Sequence, residues 1–262
     1  MTMEIAIQVL VFLWGCVLGS FYNVVGLRIP AGESIVSPPS SCKDCGHRLG
    51  LLDLIPILGY VIRRGRCHYC GSPISPIYWF GEWLTGICFL LAYLAFGFVP
   101  EFWIAIFIVS MLAVLSVSDL KYRLLPNKII FPSMVIVLLL RIWHQPLPLW
   151  DYLLGFLIGG GVLLLISYGA IWTGRAPMGG GDIKLMALLG LAFGIQSILL
   201  TLFFSALLAS IIGILLISIG KMSRKSFMPY GPFIAIGGII AYLYGQDMMS
   251  WYMGIISFSS IN

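Results

Sequence analysis

Gly179-Gly180-Gly181-Asp182-Ile183-Lys184-Leu185-Met186-Ala187-Leu188-Leu189-Gly190-Leu191-Ala192-Phe193-Gly194-Ile195-Gln196-Ser197 is the stretch on which the reading of this chain turns. Its apolar part, about 183–195, is short for a membrane span but lies between two turn signals. Counted as a helix, with Gly194 to Ser197 a tight turn into the next, it completes eight spans. Left out, it leaves seven and reverses the last two. The other apolar runs able to cross roughly 30 Å of hydrocarbon lie near 5–27, 78–98, 102–118, 129–143, 150–172, 197–219 and 232–250.

The positive-inside rule separates the two counts. With eight spans and both termini outside, every Lys and Arg except Arg141 falls in a cytoplasmic loop, while Glu4, Glu101, Asp151 and Asp247 lie outside. Seven spans would export Lys221, Arg224 and Lys225. The expected fold is therefore an all-α polytopic membrane protein of about eight transmembrane helices, with Asp119 ending the third span and Asp182 opening the sixth. Both acids then lie at the cytoplasmic face.

Composition agrees with this class. Of 262 residues 60% are hydrophobic and 10% charged, and the mean hydropathy is +1.02, values of a polytopic membrane protein. The net charge of +5 comes from bases flanking apolar runs rather than from a basic patch interleaved with aromatics, so no nucleic-acid partner is expected. The first apolar run follows Glu4 instead of a basic segment and lacks an Ala-x-Ala-like cleavage site, so residues 1–27 should stay as the first span. Residues 28–77, rich in Pro, Gly, Ser and Cys, should form a small cytosolic module, and 78–262 should carry seven further spans. No internal repeat is evident.

That module contains Cys42-Lys43-Asp44-Cys45 and Cys67-His68-Tyr69-Cys70. Four thiolates at such spacing suit a closed tetrahedral zinc site, giving a zinc-ribbon-like loop. A disulfide pair or a redox pair is the alternative; a reducing cytosol argues against the first, and the presence of two knuckles against the second. A four-cysteine site leaves no open position for water, so its metal would fold the loop rather than catalyse. His47 and His68 adjoin the knuckles as alternative ligands or plain loop residues. Cys16 and Cys88, inside spans, read as packing residues.

An acid at the edge of hydrocarbon is expensive to keep and so suggests function. Asp119 lies in Ser116-Val117-Ser118-Asp119-Leu120-Lys121 and Asp182 follows Gly179-Gly180-Gly181. Each has a bland reading: a cap countered by Lys121 or Arg123 for the first, a helix N-terminal acid for the second. The three glycines favour function, because they let another backbone approach the acid closely. Two carboxylates that meet would share a proton, one activating water and the other polarising a carbonyl. Lys184 either tunes Asp182 or snorkels at the membrane edge. Glu82, at the start of the second span, faces the cysteine loop or a ligand. A membrane hydrolase is the leading expectation; a transporter using Asp119 and Asp182 as a proton relay and an assembly scaffold are the alternatives.

Taken in order, several motifs resemble the type IV prepilin peptidase family. They are Gly19-Ser20-Phe21-Tyr22-Asn23-Val24-Val25 with Arg28-Ile29-Pro30, and the two Cys-x-x-Cys pairs flanking Asp53-Leu54-Ile55-Pro56. Glu82-Trp83-Leu84-Thr85-Gly86, Asp119 with Pro126-Asn127, Gly179-Gly180-Gly181-Asp182-Ile183-Lys184 and Gly231-Pro232-Phe233 complete the set. The resemblance implies an aspartic endopeptidase of the bacterial cytoplasmic membrane. Its substrates would be type IV prepilins or pseudopilins, cut at the cytoplasmic face after a glycine that closes a basic leader, commonly before phenylalanine. Asp119 and Asp182 would be catalytic, with Gly179, Gly180, Gly181 and Lys184 around them. It also implies S-adenosylmethionine-dependent methylation of the new amino terminus by the N-terminal region, with Asn23, Arg28 and Glu82 associated. One departure stands out: many members carry Arg-Tyr-Pro before the glutamate motif, where this chain reads Pro76-Ile77-Tyr78-Trp79.

Overall fold

The computed structural model describes residues 2–174, 176–223, 226 and 228–259. Among the described residues the regular structure is helical, apart from two isolated bridges, Ser41 to Arg48 and Arg66 to Pro73. The chain divides into two compact units, Met1–Tyr122 and Arg123–Asn262.

The first unit holds α1 (Thr2–Ala31), two short helices α2 (Leu51–Leu54) and α3 (Leu58–Ile62), and the long helices α4 (Pro76–Phe96) and α5 (Pro100–Tyr122). Between membrane helices close packing replaces the hydrophobic drive, so small residues mark the crossings. Gly15, Gly19 and Gly26 lie along one side of α1. A Cβ on Gly15 would lie 2.8 Å from the Gly86 Cα of α4, one on Gly19 2.9 Å from the Thr85 Cβ, and one on Gly26 2.7 Å from the Val114 carbonyl of α5. Tyr22 adds a polar link, donating to Ser110 Oγ at 2.7 Å.

Helix α1 runs past the expected boundary at residue 27, so Arg28 belongs to its last turn and not to the loop. The stop signal is Gly32, whose φ of +73° allows the paired end bonds Glu33 N to Arg28 O (2.9 Å) and Gly32 N to Ile29 O (3.1 Å) that close a helix at a left-handed glycine.

The loop after α1 does contain a repeat that the sequence pattern did not reveal. In each knuckle the first cysteine bonds across the turn: Cys42 N to His47 O at 2.9 Å and Cys67 N to Ser72 O at 2.8 Å. Gly46 N and Gly71 N return to the Cys42 and Cys67 carbonyls, and both glycines have φ +71°. The shared unit is Cys-x-x-Cys-Gly, too short and too varied between its cysteines to register as a repeat.

The second unit contains α6 (Asn127–Trp143), α7 (Leu149–Trp172), α8 (Gly180–Ser218) and α9 (Gly231–Ser259). Helix α8 breaks at Gly194, where φ is +80° and ψ −178°, and its two arms fold back on each other. A Cβ on Gly159 of α7 would sit 2.5 Å from the Met186 carbonyl and 3.0 Å from Ile198 Cγ1, residues that a straight helix would hold about 18 Å apart. The first arm lies against α7 backbone to backbone: a Cβ on either Gly155 or Gly190 would collide with the other's carbonyl.

Arg141, the exception to the charge rule, is 1% exposed. Its Nε donates to the Ala192 carbonyl at 2.8 Å, its Nη2 to Tyr242 Oη at 3.2 Å, and its guanidinium lies 5.0 Å from the Tyr152 ring centre. It is therefore an internal cation satisfied by protein and carries no weight as a loop charge.

Among the described residues five helices, α1, α4, α5, α7 and α8, are long and apolar enough to cross a membrane, and the chain is a membrane protein. Of the eight spans read from the sequence, two fall on the two arms of α8 and one each on the other long helices, α6 and α9 included. Of the bases used to orient the chain, Arg175, Arg224 and Lys225 lie outside the described residues.

The α7–α8 contact yields a direct test. Gly190→Ala should lower the thermal midpoint of the purified protein in detergent, at a cost of about 1–3 kcal/mol for forcing the helices apart. Gly161→Ala, on the open side of α7 with nothing within 4 Å, should leave it unchanged or raised.

Candidate functional site

Of the residues expected from the sequence, Asp119, the four cysteines, Asn23, Arg28 and Glu82 lie in the first unit, and Asp182 with its glycines and Lys184 in the second. In the first unit Asp119 lies in the last turn of α5 and is 5% exposed, beside the fully buried Ser118. A carboxylate there gains nothing from the helix, since free carbonyls at a C-terminus repel an anion.

In the second unit Asp182 occupies the first turn of α8, where Gly179 is the N-cap. Its backbone N–H donates to the Gly179 carbonyl at 3.1 Å, and a Cβ on Gly179 would lie 3.1 Å from Asp182 Oδ2. The carboxylate thus folds back over the glycine run. The three glycines divide the work: Gly181 packs where a Cβ would stand 2.9 Å from the Leu125 Cβ, while Gly180 has nothing within 4 Å. Lys184 Nζ donates to Asn127 Oδ1 at 3.0 Å and lies 5.4 Å from the Phe131 ring centre, tying the start of α8 to the start of α6.

Tyr230, in the segment that leads into α9, joins this site. Its hydroxyl is 2.9 Å from Ser205 Oγ. Burial, opposed by that hydrogen bond and reinforced by the Asp182 carboxylate, pushes the phenol above its ordinary range.

The loop of the first unit brings Cys42, Cys45, Cys67 and Cys70 together, all four Sγ atoms within 4.8 Å of one another. Cys42 and Cys70 Sγ are 3.7 Å apart, close to the ~3.8 Å edge of a tetrahedron with metal–sulfur bonds of about 2.3 Å. This cluster can hold a metal ion. Hydrogen bonding from the Ser72 hydroxyl holds the Cys42 thiol down to about 6 and Cys70 below the usual thiol range. Against a hydrogen bond from the His47 backbone, desolvation and the neighbouring thiols push Cys45 up to about 11, so the cluster is part thiolate and part thiol. His47 stacks on Tyr69 at 3.5 Å between ring centres, and His68 Nδ1 is 3.0 Å from Arg63 Nη1. Neither is in the cluster.

Between this loop and the ends of the long helices of its unit lies a cleft of about 660 Å³. Glu82 and Arg28 both line it, together with Asp53, Tyr60, Arg63 and Trp79. Glu82, buried on α4, accepts from the Ile57 N–H at 2.7 Å and has the Ser20 hydroxyl beside it. Asp53 accepts from Gly50 N at 3.1 Å and from Arg63 Nε at 2.7 Å, and the Arg63 bond holds its carboxyl below the usual range. Arg28 Nη1 donates to the Ser34 carbonyl at 3.0 Å.

Asn23 does not line the cleft. It is buried, donates to the Tyr78 carbonyl at 3.0 Å and packs over Gly81, so its visible part is to fix the start of α4. Trp79, from the departing segment, stacks near Tyr60 at 6.1 Å. The Asp53–Arg63 pair escaped notice in the sequence because it joins two short helices that no periodicity marks.

Comparison with known proteins bears on both units. The Bacterial Peptidase A24 N-terminal domain matches residues 13–96 and the Type IV leader peptidase family matches residues 106–214. A protein of Bacillus subtilis named prepilin leader peptidase/N-methyltransferase is 36% identical over 245 residues, which cover 93% of this chain and 97% of that protein. Proteins of the same name from Aeromonas hydrophila and Pseudomonas putida are 32% and 31% identical, with 93% of each chain covered. No solved structure matches. With relatives this similar along nearly their whole length, the chain belongs to the type IV leader peptidase family.

Proposed function

We propose that the protein is a membrane aspartic endopeptidase that removes the leaders of type IV prepilins or pseudopilins at the cytoplasmic face and then methylates the new amino terminus. The observation that carries the peptidase reading is the burial of Asp119 at a helix end that disfavours an acid. Asp182 supplies the second carboxylate, on a glycine run open enough for an extended peptide. The ionised acid takes a proton from water as it attacks the scissile carbonyl, while the protonated acid gives its proton to that oxygen; on collapse the first acid passes the proton from water to the leaving amine, and the second regains its own from the hydroxyl that becomes part of the new carboxyl group. No covalent intermediate forms. Tyr230 stands near Asp182 as a further donor. In this reading the chain has eight spans in the bacterial cytoplasmic membrane, the cysteine loop is cytosolic, and both termini are outside. Nothing among the relatives favours the proton-relay alternative.

The methylation reading rests on the cleft of the first unit. S-adenosylmethionine would supply the methyl group there, in a volume suited to a ligand of that size. Glu82 and Asp53 provide acceptors for its cationic groups, and Tyr60 and Trp79 an aromatic wall. The base absent from 76–79 is matched by Arg28, Arg63 and Arg66, which line the same cleft. The four cysteines would hold zinc, with a structural role.

Co-expression with a prepilin carrying a basic leader and a Gly-Phe junction tests the main claim. Asp119→Asn and Asp182→Asn should each reduce leader removal by 100-fold or more while the protein accumulates normally in the membrane. Wild-type product should gain the mass of one methyl on its phenylalanine, and normal processing by either variant would refute the acid assignment.

Metal analysis of the purified chain should find one zinc per molecule. Cys42→Ser with Cys67→Ser should abolish it, and chelation should expose four thiols to alkylation while Cys16 and Cys88, buried between helices, stay protected. A metal-free chain with a protease-resistant loop would remove zinc from the proposal.

A further inference from the structure

The hairpin formed by α2 and α3, residues 51–62, has two faces of different chemistry. Asp53, Gly59, Tyr60 and Arg63 turn inward to the cleft. On the other side Leu52 (62% exposed), Leu58 (54%), Val61 (53%) and Ile62 (62%) form an apolar surface with no protein cover. So many large apolar side chains on so short a segment mark an interaction surface rather than ordinary scatter.

Its position identifies the occupant. Helix α4 has 21 residues, about 31 Å of length, which matches the hydrocarbon thickness of roughly 30 Å. Glu82 is six residues inside its start, about 9 Å along the axis, and accepts from the Ile57 N–H between the two short helices at 2.7 Å. With α4 spanning the hydrocarbon, and allowing for the backward lean of helical side chains, this bond would hold the hairpin near the headgroup and acyl boundary. Ile57 is held there at φ +64°, a conformation that costs a β-branched residue energy, so the aim of α3 is imposed by its surroundings. The segment is bracketed by the exposed bases Arg48, Arg64 and Arg66, and apolar face with basic flanks is the pattern of an element lying in an anionic membrane surface. Large apolar side chains of α4 itself are exposed as well, Trp83, Leu84 and Ile87 among them.

We infer that residues 51–62 form a monotopic anchor, whose outer face is embedded in the leaflet at the start of α4 while its inner face walls the cleft. The bilayer then supplies one side of the support for that wall, and the cleft is held at the membrane surface. This does not depend on which ligand the cleft takes.

The test uses the full chain in nanodiscs of phosphatidylglycerol and phosphatidylcholine. An environment-sensitive fluorescent amino acid is introduced at Leu58 or, separately, Ile62, with Asp44 on the first knuckle as the aqueous reference, and metal content certifies folding. Doxyl groups near the glycerol end of the acyl chains should quench Leu58 and Ile62 at least twofold more than Asp44, and iodide at least twofold less. Iodide quenching equal to that at Asp44 would place the face in water, and protection from both quenchers would mean a second copy or another protein covers it; either result overturns the anchor.

Discussion

The break in α8 at Gly194 is the constraint on which the second unit depends. Interrupting a helix in a membrane protein frees backbone groups that lipid cannot satisfy. Here the chain answers on both sides of the break. The Ala192 carbonyl accepts from Arg141 Nε at 2.8 Å, and the Ile195 N–H donates to Asp151 Oδ2 at 3.1 Å. A side chain at 194 would collide with that carboxylate, and φ of +80° suits glycine alone. With the break satisfied, a long apolar stretch becomes two arms, the first closed against α7 through Gly155, Gly159 and Gly190. That short arm presents Asp182 at its beginning, fixed by Gly181 against Leu125 and by Lys184 on Asn127. A site on a rigid helix start is held more accurately than one on a free loop.

In the first unit a comparable part falls to one carboxylate. Glu82 is buried on α4, and its bond to the Ile57 N–H couples the cysteine-rich loop to the helix bundle. An unpaired acid at this position would be costly. The backbone donor that satisfies it also sets where the hairpin stands, which face meets the cleft and which is left apolar. The four cysteines, the cleft wall and the apolar face of the hairpin thus belong to one connected piece of chain between α1 and α4.

Residues that are rare for their surroundings could be read without a structure. Asp119, Asp182 and the four cysteines were singled out because little else in such an apolar chain carries that chemistry, and the helices fall on the apolar runs, with ends marked by Gly32, Gly97 and Gly220. Arg141 stood out in the sequence only as the one base outside the cytoplasmic loops, because its partners, Ala192, Tyr152 and Tyr242, come from three other helices. The interaction of Tyr230 with Asp182 was missed for the same reason, and the Asp53–Arg63 pair because the short helices that carry it show no periodicity.

Helix positions, membrane class and the four-cysteine cluster follow from local composition, because apolar length, glycine stops and cysteine spacing are properties of neighbouring residues. Which groups satisfy the break at Gly194, which face of the 51–62 hairpin is covered, and where Asn23 and Lys184 spend their hydrogen bonds depend on contacts between segments tens of residues apart. No local pattern encodes those, since any of several polar groups in the chain has the right chemistry and packing alone selects the partner.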